Sequence, residues 1–218
     1  MPVLNTSASP LMGLWKISES WRELFDLLIN KEAYYPDLQQ IQADGRKQEW
    51  LATRLLLQHL SGREMHISYQ KNGAPFLPDS EYHISISHTR GFAAVLLSKN
   101  PHPGIDIEYH SERAWKLREK YMHEDELAFI RSLGDHTHKE GLPTAKAAET
   151  ATLYWCAKET AYKALGETAV DFSEHLCIEP FEPLKEGVLL LHERRTEQKR
   201  SFSINYRITE DFILTMYT

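Results

Sequence analysis

Two short acidic segments hold the residues whose types and spacing suit catalysis. In the first, Gly104-Ile105-Asp106-Ile107-Glu108, two carboxylates lie two residues apart. Alternate side chains of a strand share a face, so Asp106 and Glu108 are expected to project together while Ile105 and Ile107 point into the core. A divalent cation relieves the repulsion between such carboxylates, and Mg²⁺ suits a site that adds phosphate and water oxygens. By itself the pattern is also typical of a solvated strand face.

The second segment, Trp155-Cys156-Ala157-Lys158-Glu159-Thr160-Ala161-Tyr162-Lys163, has helical spacing. Trp155, Glu159 and Lys163 lie four apart and share one helix face. A Glu–Lys pair at this spacing is common on solvated helices, but the large Trp155 on the same face indicates packing. A carboxylate and an ammonium on a partly buried face, beside two more carboxylates, predict a metal and phosphate site.

Flanking elements must position these segments. Pro101-His102-Pro103-Gly104 breaks the chain before the acidic strand and is the candidate boundary between two halves. Residues 145–165 are predicted to form one long helix ended by Gly166. Hydrophobic spacing predicts further helices over 18–30, 46–60 and 112–133, a turn at Asn72-Gly73, and strands over 82–86, 92–97, 105–108, 176–178, 188–192, 202–207 and 212–216. Helix followed by strands in each half predicts an α+β fold.

Composition argues against several function classes. The 218 residues carry a formal charge of −6, so no overall basic field attracts nucleic acid, and a phosphate ligand needs a local basic cluster. No stretch approaches the roughly 20 apolar residues of a membrane helix, and residues 1–13 lack a signal-peptide pattern. His136 and His138 lack the context of a zinc site. We expect a cytoplasmic protein with no nucleic-acid or membrane partner.

Four motifs in order resemble the surfactin-type 4′-phosphopantetheinyl transferases. The two acidic segments match the family patterns G-[IV]-D-x-E and [FW]-[SCT]-x-K-E-[AST]-x-x-K. Upstream, Ser85-Ile86-Ser87-His88-Thr89 resembles N-[IL]-S-H-[ST]. Between them, Tyr121-Met122-His123-Glu124-Asp125-Glu126 resembles R-F-[FL]-x-x-x-E. Their order and spacing match over roughly residues 46–165.

The resemblance implies transfer of the 4′-phosphopantetheine arm of coenzyme A to a serine of an apo acyl, peptidyl or aryl carrier protein, with Mg²⁺ as cofactor and release of 3′,5′-ADP. It implies a monomer of two similar α/β subdomains, each a helix packed on a small antiparallel sheet, related by pseudo-twofold symmetry. Residues 1–102 would contribute coenzyme A contacts, and residues 103–218 the metal site and catalytic helix, with the ligands in the cleft between them. The alternatives are a catalytically degenerate module that binds coenzyme A or carrier, and a metal-dependent phosphohydrolase.

The same resemblance assigns residue roles. Asp106, Glu108 and Glu159 would hold the metal against the pyrophosphate. Glu108, Glu159 or a metal-held water is the candidate base for the serine hydroxyl, and Lys163 would stabilise charge on the leaving oxygen. The role of Glu126, which matches a family acid near the metal, is left open. The residues expected to bind coenzyme A are Arg46, Ser87, His88, Lys158 and Lys163, with Arg46 and His88 on the 3′-phosphate and Lys158 as a second cation.

The sequence departs from the family where a Gly-Lys-Pro triplet normally supplies a phosphate-binding lysine. Here the triplet is Gly73-Ala74-Pro75, and Lys71 is the candidate substitute. Arg54 matches a family position, either as a ligand or as a structural partner. Lys47 is a further candidate for phosphate binding.

Two other features have both a functional and a structural interpretation. Cys156 is interpreted as a packing residue because no histidine lies near it in sequence to activate it. A basic stretch after the first acidic segment is either a docking site for an acidic carrier protein or a solvated helix face. Its members are Arg113, Lys116, Arg118 and Lys120.

Overall fold

The computed structural model describes residues 3–8, 11–133, 143–166 and 169–218. The chain divides into two compact units, Met1–Pro103 with Thr218, and Gly104–Tyr217. Each unit combines helices with an antiparallel sheet, which confirms the predicted α+β class. The pseudo-twofold symmetry stays a prediction, and His136 and His138 lie outside the described residues. Among the described helices, none has the length and apolarity needed to cross a membrane.

The first unit is built on a four-stranded sheet in the order β1-β2-β6-β5, with every neighbouring pair antiparallel. Strands β3 and β4 form a separate two-stranded sheet. The strands are β1 (Val3–Ala8), β2 (Leu11–Lys16), β3 (Ser68–Tyr69), β4 (Pro75–Phe76), β5 (His83–Thr89) and β6 (Phe92–Ser98). The helices are α1 (Trp21–Asp26), α2 (Lys31–Gln40) and α3 (Asp44–Ser61).

Helix α3 packs on this sheet through a buried apolar face. Leu51, Leu55 and Leu56 lie in one hydrophobic cluster with Val95 and Leu97 of β6. Opposite Leu56 on β2 is Gly13, where any Cβ would collide with the leucine side chain. The absence of a side chain at Gly13 therefore lets the helix approach the strand closely.

The helix predicted over residues 18–30 is shorter in the structure. Ser20 and Glu23 form a capping box that starts α1, which ends at Asp26. Asn30 then accepts a hydrogen bond from the backbone N–H of Ala33 and so begins α2. Asparagine side chains compete with the helical backbone in this way, and Asn30 begins α2, a helix that the hydrophobic spacing did not predict.

The second unit is built on a five-stranded antiparallel sheet in the order β7-β11-β10-β9-β8. The strands are β7 (Gly104–Tyr109), β8 (Leu176–Ile178), β9 (Glu186–Glu193), β10 (Ser201–Ile208) and β11 (Phe212–Tyr217). The helices are α4 (Arg113–Leu117), α5 (Glu124–Ser132), α6 (Ala145–Leu165) and α7 (Phe172–His175), with a 3₁₀ turn over Arg118–Lys120.

The long helix α6 is the centre of this unit. Thr144 caps its start by accepting from the N–H of Ala147, and Gly166 ends it in the left-handed conformation at φ 66°. Its buried side chains join Leu191 of β9 and Phe202 of β10 in one hydrophobic core. The helix is therefore buried on most of its circumference, against the sheet and against α4 and α5.

The segment predicted to be helical over residues 112–133 consists of two helices. His123 caps α5, and the Glu126 carboxylate accepts from the backbone N–H of His123 in return. This reciprocal cap separates α5 from α4 and turns the Glu126 side chain inward.

Candidate active site

The carboxylates of the first acidic segment face helix α6. The ammonium of Lys163 donates to Asp106 Oδ1 at 2.8 Å and to the carbonyl oxygen of Ile105 at 2.8 Å. The indole Nε1 of Trp155 donates to Glu108 Oε1 at 3.2 Å. Asp106 is buried and Glu108 half-buried, so both carboxylates lie at the contact between β7 and α6. Ile105 and Ile107, which alternate with them, are buried as well.

Glu159 lies within electrostatic range of both strand carboxylates. Burial, with the negative charges of Asp106 and Glu108 and against the opposing charge of Lys163, raises its pKa to about 7. Three carboxylates and one ammonium are thus gathered on facing surfaces of one strand and one helix. A carboxyl group with a pKa near 7 can exchange a proton at neutral pH, which is a requirement for general acid–base catalysis.

The chemistry of this donor set fits a hard divalent cation, since Mg²⁺ takes carboxylate oxygens and completes its shell with water and phosphate. The side chains are held by other partners in the structure. Lys163 is bound to Asp106 and Trp155 to Glu108, and across the described ranges no group of three or more His, Cys, Asp or Glu side chains is arranged to hold a metal ion. Metal binding at this site therefore requires these contacts to rearrange.

Lys158 and Glu126 form a buried ion pair with each other. Lys158 Nζ, fully buried, donates to Glu126 Oε2 at 2.6 Å, to the carbonyl of Tyr121 at 2.8 Å and to the carbonyl of Phe172 at 3.0 Å. Glu126 also accepts from the backbone N–H of Ile178. With this full set of buried partners, Lys158 presents no ammonium to a phosphate and Glu126 presents no carboxylate to a metal. The expectation that Lys158 binds coenzyme A is therefore not supported by its position.

Cys156 is buried beside the same site. Desolvation, followed by the Asp106 charge, raises the pKa of its thiol well above the ordinary value. Only the thiolate is a strong nucleophile, so this residue has a packing role, as the sequence indicates.

The first unit brings two of the expected phosphate ligands together. The guanidinium of Arg46 lies at hydrogen-bond distance from His88 Nε2, and it also donates to Glu49 Oε2 at 3.1 Å. His88 Nδ1 lies 3.2 Å from the same carboxylate oxygen. Arg46 and His88 are both accessible to solvent, with about half and a third of their side chains exposed. They form a small basic cluster whose present acceptor is Glu49.

The other expected coenzyme A ligands of this unit lie elsewhere. Ser87 is buried and points to the opposite face of β5 from His88, because consecutive strand residues alternate. Lys47 stacks over the ring of Trp21, with its Nζ 4.7 Å from the ring centroid. Lys71 is exposed in the turn between β3 and β4.

Arg54 is buried against Trp50, which favours the structural interpretation. Its guanidinium lies 3.3 Å from the ring centroid of Trp50 and donates to the Trp50 carbonyl at 3.0 Å. Burial lowers the pKa of Arg54, and the neighbouring Tyr69, Tyr34 and Asp37 oppose that shift.

The basic stretch after β7 is partly neutralised by acidic neighbours. Lys116 pairs with Glu112 at 3.0 Å, and Arg118 stacks on Trp115 and lies 3.8 Å from Glu119. Arg113 and Lys120 are exposed, as is Lys116. The stretch is therefore an exposed surface of mixed charge in which basic side chains predominate.

Two residues near the carboxylates, Thr160 and Thr215, were not predicted from the sequence to belong to the site. Thr215 on β11 is the cross-strand partner of Asp106, and its hydroxyl lies 2.6 Å from that of Thr160 on α6. Thr160 directly follows Glu159 in the second acidic segment, so its position in the motif could have indicated a role near the site. Thr215 lies 55 residues further along the chain, and its alternating strand pattern gives no sign of this contact.

Two family models and several curated proteins, all described as 4′-phosphopantetheinyl transferases, match the chain. The profile of the 4′-phosphopantetheinyl transferase superfamily matches residues 103–216, and that of the 4′-phosphopantetheinyl transferase N-terminal domain matches residues 38–98. Over 123 residues the chain is 31% identical to the 4′-phosphopantetheinyl transferase gsp of Aneurinibacillus migulanus. The aligned region covers 55% of this chain and 46% of that protein. Over 126 residues it is 30% identical to the 4′-phosphopantetheinyl transferase AcpT of Escherichia coli K12, which covers 57% of this chain and 60% of that protein. The matches thus span less than two thirds of either relative.

Proposed function

The chain belongs to the 4′-phosphopantetheinyl transferase superfamily, and we propose that it transfers the 4′-phosphopantetheine arm of coenzyme A to a serine of an apo carrier protein, releasing 3′,5′-ADP. The observation that carries this proposal is the meeting of Asp106 and Glu108 on β7 with Glu159 and Lys163 on α6. These four residues are charged positions of the two family motifs, and the fifth, Lys158, is buried against Glu126.

Glu159 is proposed as the base that takes the proton of the attacking serine hydroxyl. Without a bound cation its pKa is about 7, and a cation at the site would lower that pKa and favour the ionised form that accepts a proton. Glu108 is the second candidate, and its bond to the Trp155 indole holds its orientation.

Lys163 is proposed to stabilise the negative charge that develops on the bridging phosphate oxygen as 3′,5′-ADP leaves. An ammonium beside the departing oxygen lowers the barrier without losing a proton. The bond from Lys163 to the Ile105 carbonyl supports this role, because it holds the ammonium next to β7 independently of the carboxylates.

Asp106, Glu108 and Glu159 would hold a Mg²⁺ ion, which when bound neutralises charge on the pyrophosphate. The repulsion that raises the pKa of Glu159 supports this assignment, since a cation at the site removes it. Lys163 would then exchange its contact with Asp106 for one with phosphate.

Arg46 and His88 are proposed to bind the 3′-phosphate of coenzyme A. Their N–H groups, now directed at Glu49, would be redirected to phosphate oxygens. Lys71 is proposed as a further contact. Ser87 is left out because it is buried on the opposite face of β5 from His88, and Lys158 because it is enclosed by Glu126 and two carbonyls.

The carrier protein is proposed to dock on the exposed basic side chains of the α4 region, among them Arg113, Lys116 and Lys120. Carrier proteins are acidic, so opposite charge would guide the encounter. We further propose that the protein acts as a monomer in the cytoplasm, where the two described cysteines, both free, remain reduced.

Mass spectrometry tests this function directly. The protein is incubated with coenzyme A, Mg²⁺ and a panel of apo carrier proteins, and the phosphopantetheine mass increment on the carrier is measured. We expect transfer by the native chain and its loss in Asp106→Ala, because the variant removes a metal ligand and the anion that holds Lys163. Glu210→Ala, at an exposed position beside the β10–β11 turn, is the matched control and should transfer normally.

Other outcomes distinguish the alternatives. Release of phosphopantetheine without carrier modification would identify a phosphohydrolase. Binding of coenzyme A without turnover would identify a non-catalytic module. Near-normal transfer by Asp106→Ala would show that Asp106 is not part of the reacting site.

A further inference from the structure

Two fully buried hydroxyl groups face each other between α6 and the sheet of the second unit. Thr160 Oγ1 and Thr215 Oγ1 lie 2.6 Å apart, and both residues have no solvent exposure. The Thr215 hydroxyl also donates to the carbonyl oxygen of Cys156 at 2.9 Å. The Thr160 hydroxyl also donates to the carbonyl oxygen of Thr215 at 3.3 Å, so the two hydroxyls and two backbone carbonyls form one buried hydrogen-bond network. We call this contact the threonine bridge.

The threonine bridge adjoins the charged residues of the site on both of its sides. Thr215 is the cross-strand partner of Asp106, and partners in an antiparallel pair project to the same face. Thr160 directly follows Glu159 on the helix. The bridge thus links the strand beside Asp106 to the helical turn that carries Glu159.

A close backbone contact accompanies the bridge. A Cβ at Gly104, the first residue of β7, would overlap the carbonyl oxygen of Thr160. Strand β7 therefore touches the helix backbone at this point, while the bridge ties the neighbouring strand β11 to the same residue. Contacts from two strands to one residue define where the helix sits along the sheet.

Packing alone does not explain the two hydroxyls. Valine has nearly the same shape as threonine and suits a buried strand better, and a buried hydroxyl costs free energy unless it is hydrogen-bonded. Bonded hydroxyl pairs differ from apolar contacts in that they are directional, and they resist sliding of one element over another.

We infer that the threonine bridge is a positioning device, in which Thr160 and Thr215 hold the Glu159 turn of α6 in register with Asp106. This inference rests on the proposed function and adds two residues that would touch neither substrate nor metal. A loss of the bridge lets the helix shift along the sheet, which changes the distance between the carboxylates without removing any of them.

Valine variants of the two threonines test the inference. Thr160→Val and Thr215→Val are compared with Thr215→Ser, which keeps the hydroxyl. Thr150→Val is the matched control, because Thr150 is a buried threonine of the same helix whose hydroxyl bonds the helix's own Lys146 carbonyl at 2.8 Å. Carrier modification gives kcat and KM, and calorimetric titration with Mg²⁺ alone gives metal affinity without turnover.

We expect both bridge variants to lower kcat about tenfold through misplacement of the carboxylates, with the KM for coenzyme A unchanged. Their affinity for Mg²⁺ should fall about tenfold, as when a residue that orients metal ligands is changed. Thr215→Ser and Thr150→Val should behave like the native chain. Thermal unfolding verifies that each variant is folded at the assay temperature.

The inference is overturned if the bridge variants match Thr150→Val in both measurements, or if Thr215→Ser loses as much as Thr215→Val. If the native chain modifies no carrier, the proposed function fails, and the Mg²⁺ titrations alone decide whether the bridge positions the carboxylates. If the native chain neither transfers nor binds Mg²⁺, both ideas are refuted.

Discussion

At Glu159, burial and neighbouring charges together shift the pKa of a carboxyl group. Its carboxyl lies in a partly desolvated place, with Asp106 and Glu108 as negative neighbours and Lys163 as the opposing charge. Burial and repulsion together raise the pKa of Glu159 to about 7 from an ordinary value of 4.5. The same environment that suits proton transfer therefore costs stability whenever Glu159 is ionised and no cation is bound.

The pH dependence of stability follows from the direction of this shift. A raised carboxyl pKa means that the folded chain binds the proton more tightly than the unfolded chain. The protonated Glu159 carboxyl therefore stabilises the folded chain fully at pH values below its pKa in the unfolded chain, about 4.5. This stabilisation is lost as the pH rises through about 7. Glu159→Gln stays neutral, so we expect it to match the native chain near pH 4 and to exceed its free energy of unfolding by about 3 kcal/mol near pH 8.

Denaturant unfolding in metal-free buffer measures this difference. Glu210→Gln, a change at an exposed position, should show no such pH dependence. Added Mg²⁺ should stabilise the native chain near pH 8 more than Glu159→Gln. A Glu159→Gln protein no more stable than the native chain near pH 8 would contradict the environment assigned to Glu159.

At the scale of elements, the Lys158–Glu126 pair joins several segments of the second unit. Lys158 projects from α6, Glu126 from α5, and their other partners lie in the turn before α5, at the start of α7 and in β8. Burial lowers the pKa of Lys158 and the Glu126 charge opposes that shift. The pair therefore holds charge in the interior only because each partner satisfies the other.

Removal of one partner should be far more damaging than removal of both. Lys158→Met leaves the Glu126 carboxylate buried without its cation, and we expect a loss of about 3–5 kcal/mol in the free energy of unfolding. The double variant Glu126→Gln with Lys158→Met should be less destabilised than the sum of the two single variants. Denaturant unfolding of all three gives the coupling.

Lys116→Met is the matched control for this element. Its ammonium pairs with Glu112 at 3.0 Å on the surface, with both side chains about half or more exposed. A surface pair of this kind contributes about 0–1 kcal/mol, so this variant should be nearly as stable as the native chain. A similar small effect in Lys158→Met would mean that the buried pair is not formed.

At the scale of the whole molecule, the residues proposed for the 3′-phosphate of coenzyme A and those proposed for the carrier protein belong to different units. Arg46 and His88 lie in the first unit, and the basic side chains of α4 lie in the second. Substitutions in the two sets should therefore affect different substrates, and each set serves as the control for the other.

Arg46→Ala should raise the KM for coenzyme A about tenfold, the effect of losing a hydrogen bond to a charged group, and leave the KM for carrier unchanged. It should have no effect with 3′-dephospho-coenzyme A, which lacks the phosphate. Arg113→Glu with Lys116→Glu should raise the KM for carrier and spare that for coenzyme A. Steady-state kinetics measure both KM values. If the KM for the same substrate changed in both variants, the separate assignments would be contradicted.

The fold could be predicted from the sequence where local patterns are strong. The helix over residues 145–165 and the strands β5, β6 and β7 follow from hydrophobic spacing and from clear stop signals such as Gly166. Strands β1 and β2 and helices α2 and α7 were not predicted. The helix expected over 18–30 covers only Trp21–Asp26, and the one expected over 112–133 is divided before the cap at His123. Caps depend on single side-chain bonds, which hydrophobic spacing does not report.

The sequence by itself determined which residues share a face. A period of two places Asp106 with Glu108, and a period of four places Trp155, Glu159 and Lys163 together. Only the tertiary structure decided what each face meets. Lys158 is adjacent to Glu159 in sequence, yet it is enclosed by a partner 32 residues away, and Asp106 gains Thr215 as its neighbour through strand pairing. The physical reason is that periodicity is local, whereas burial and pairing come from contacts between distant parts of the chain.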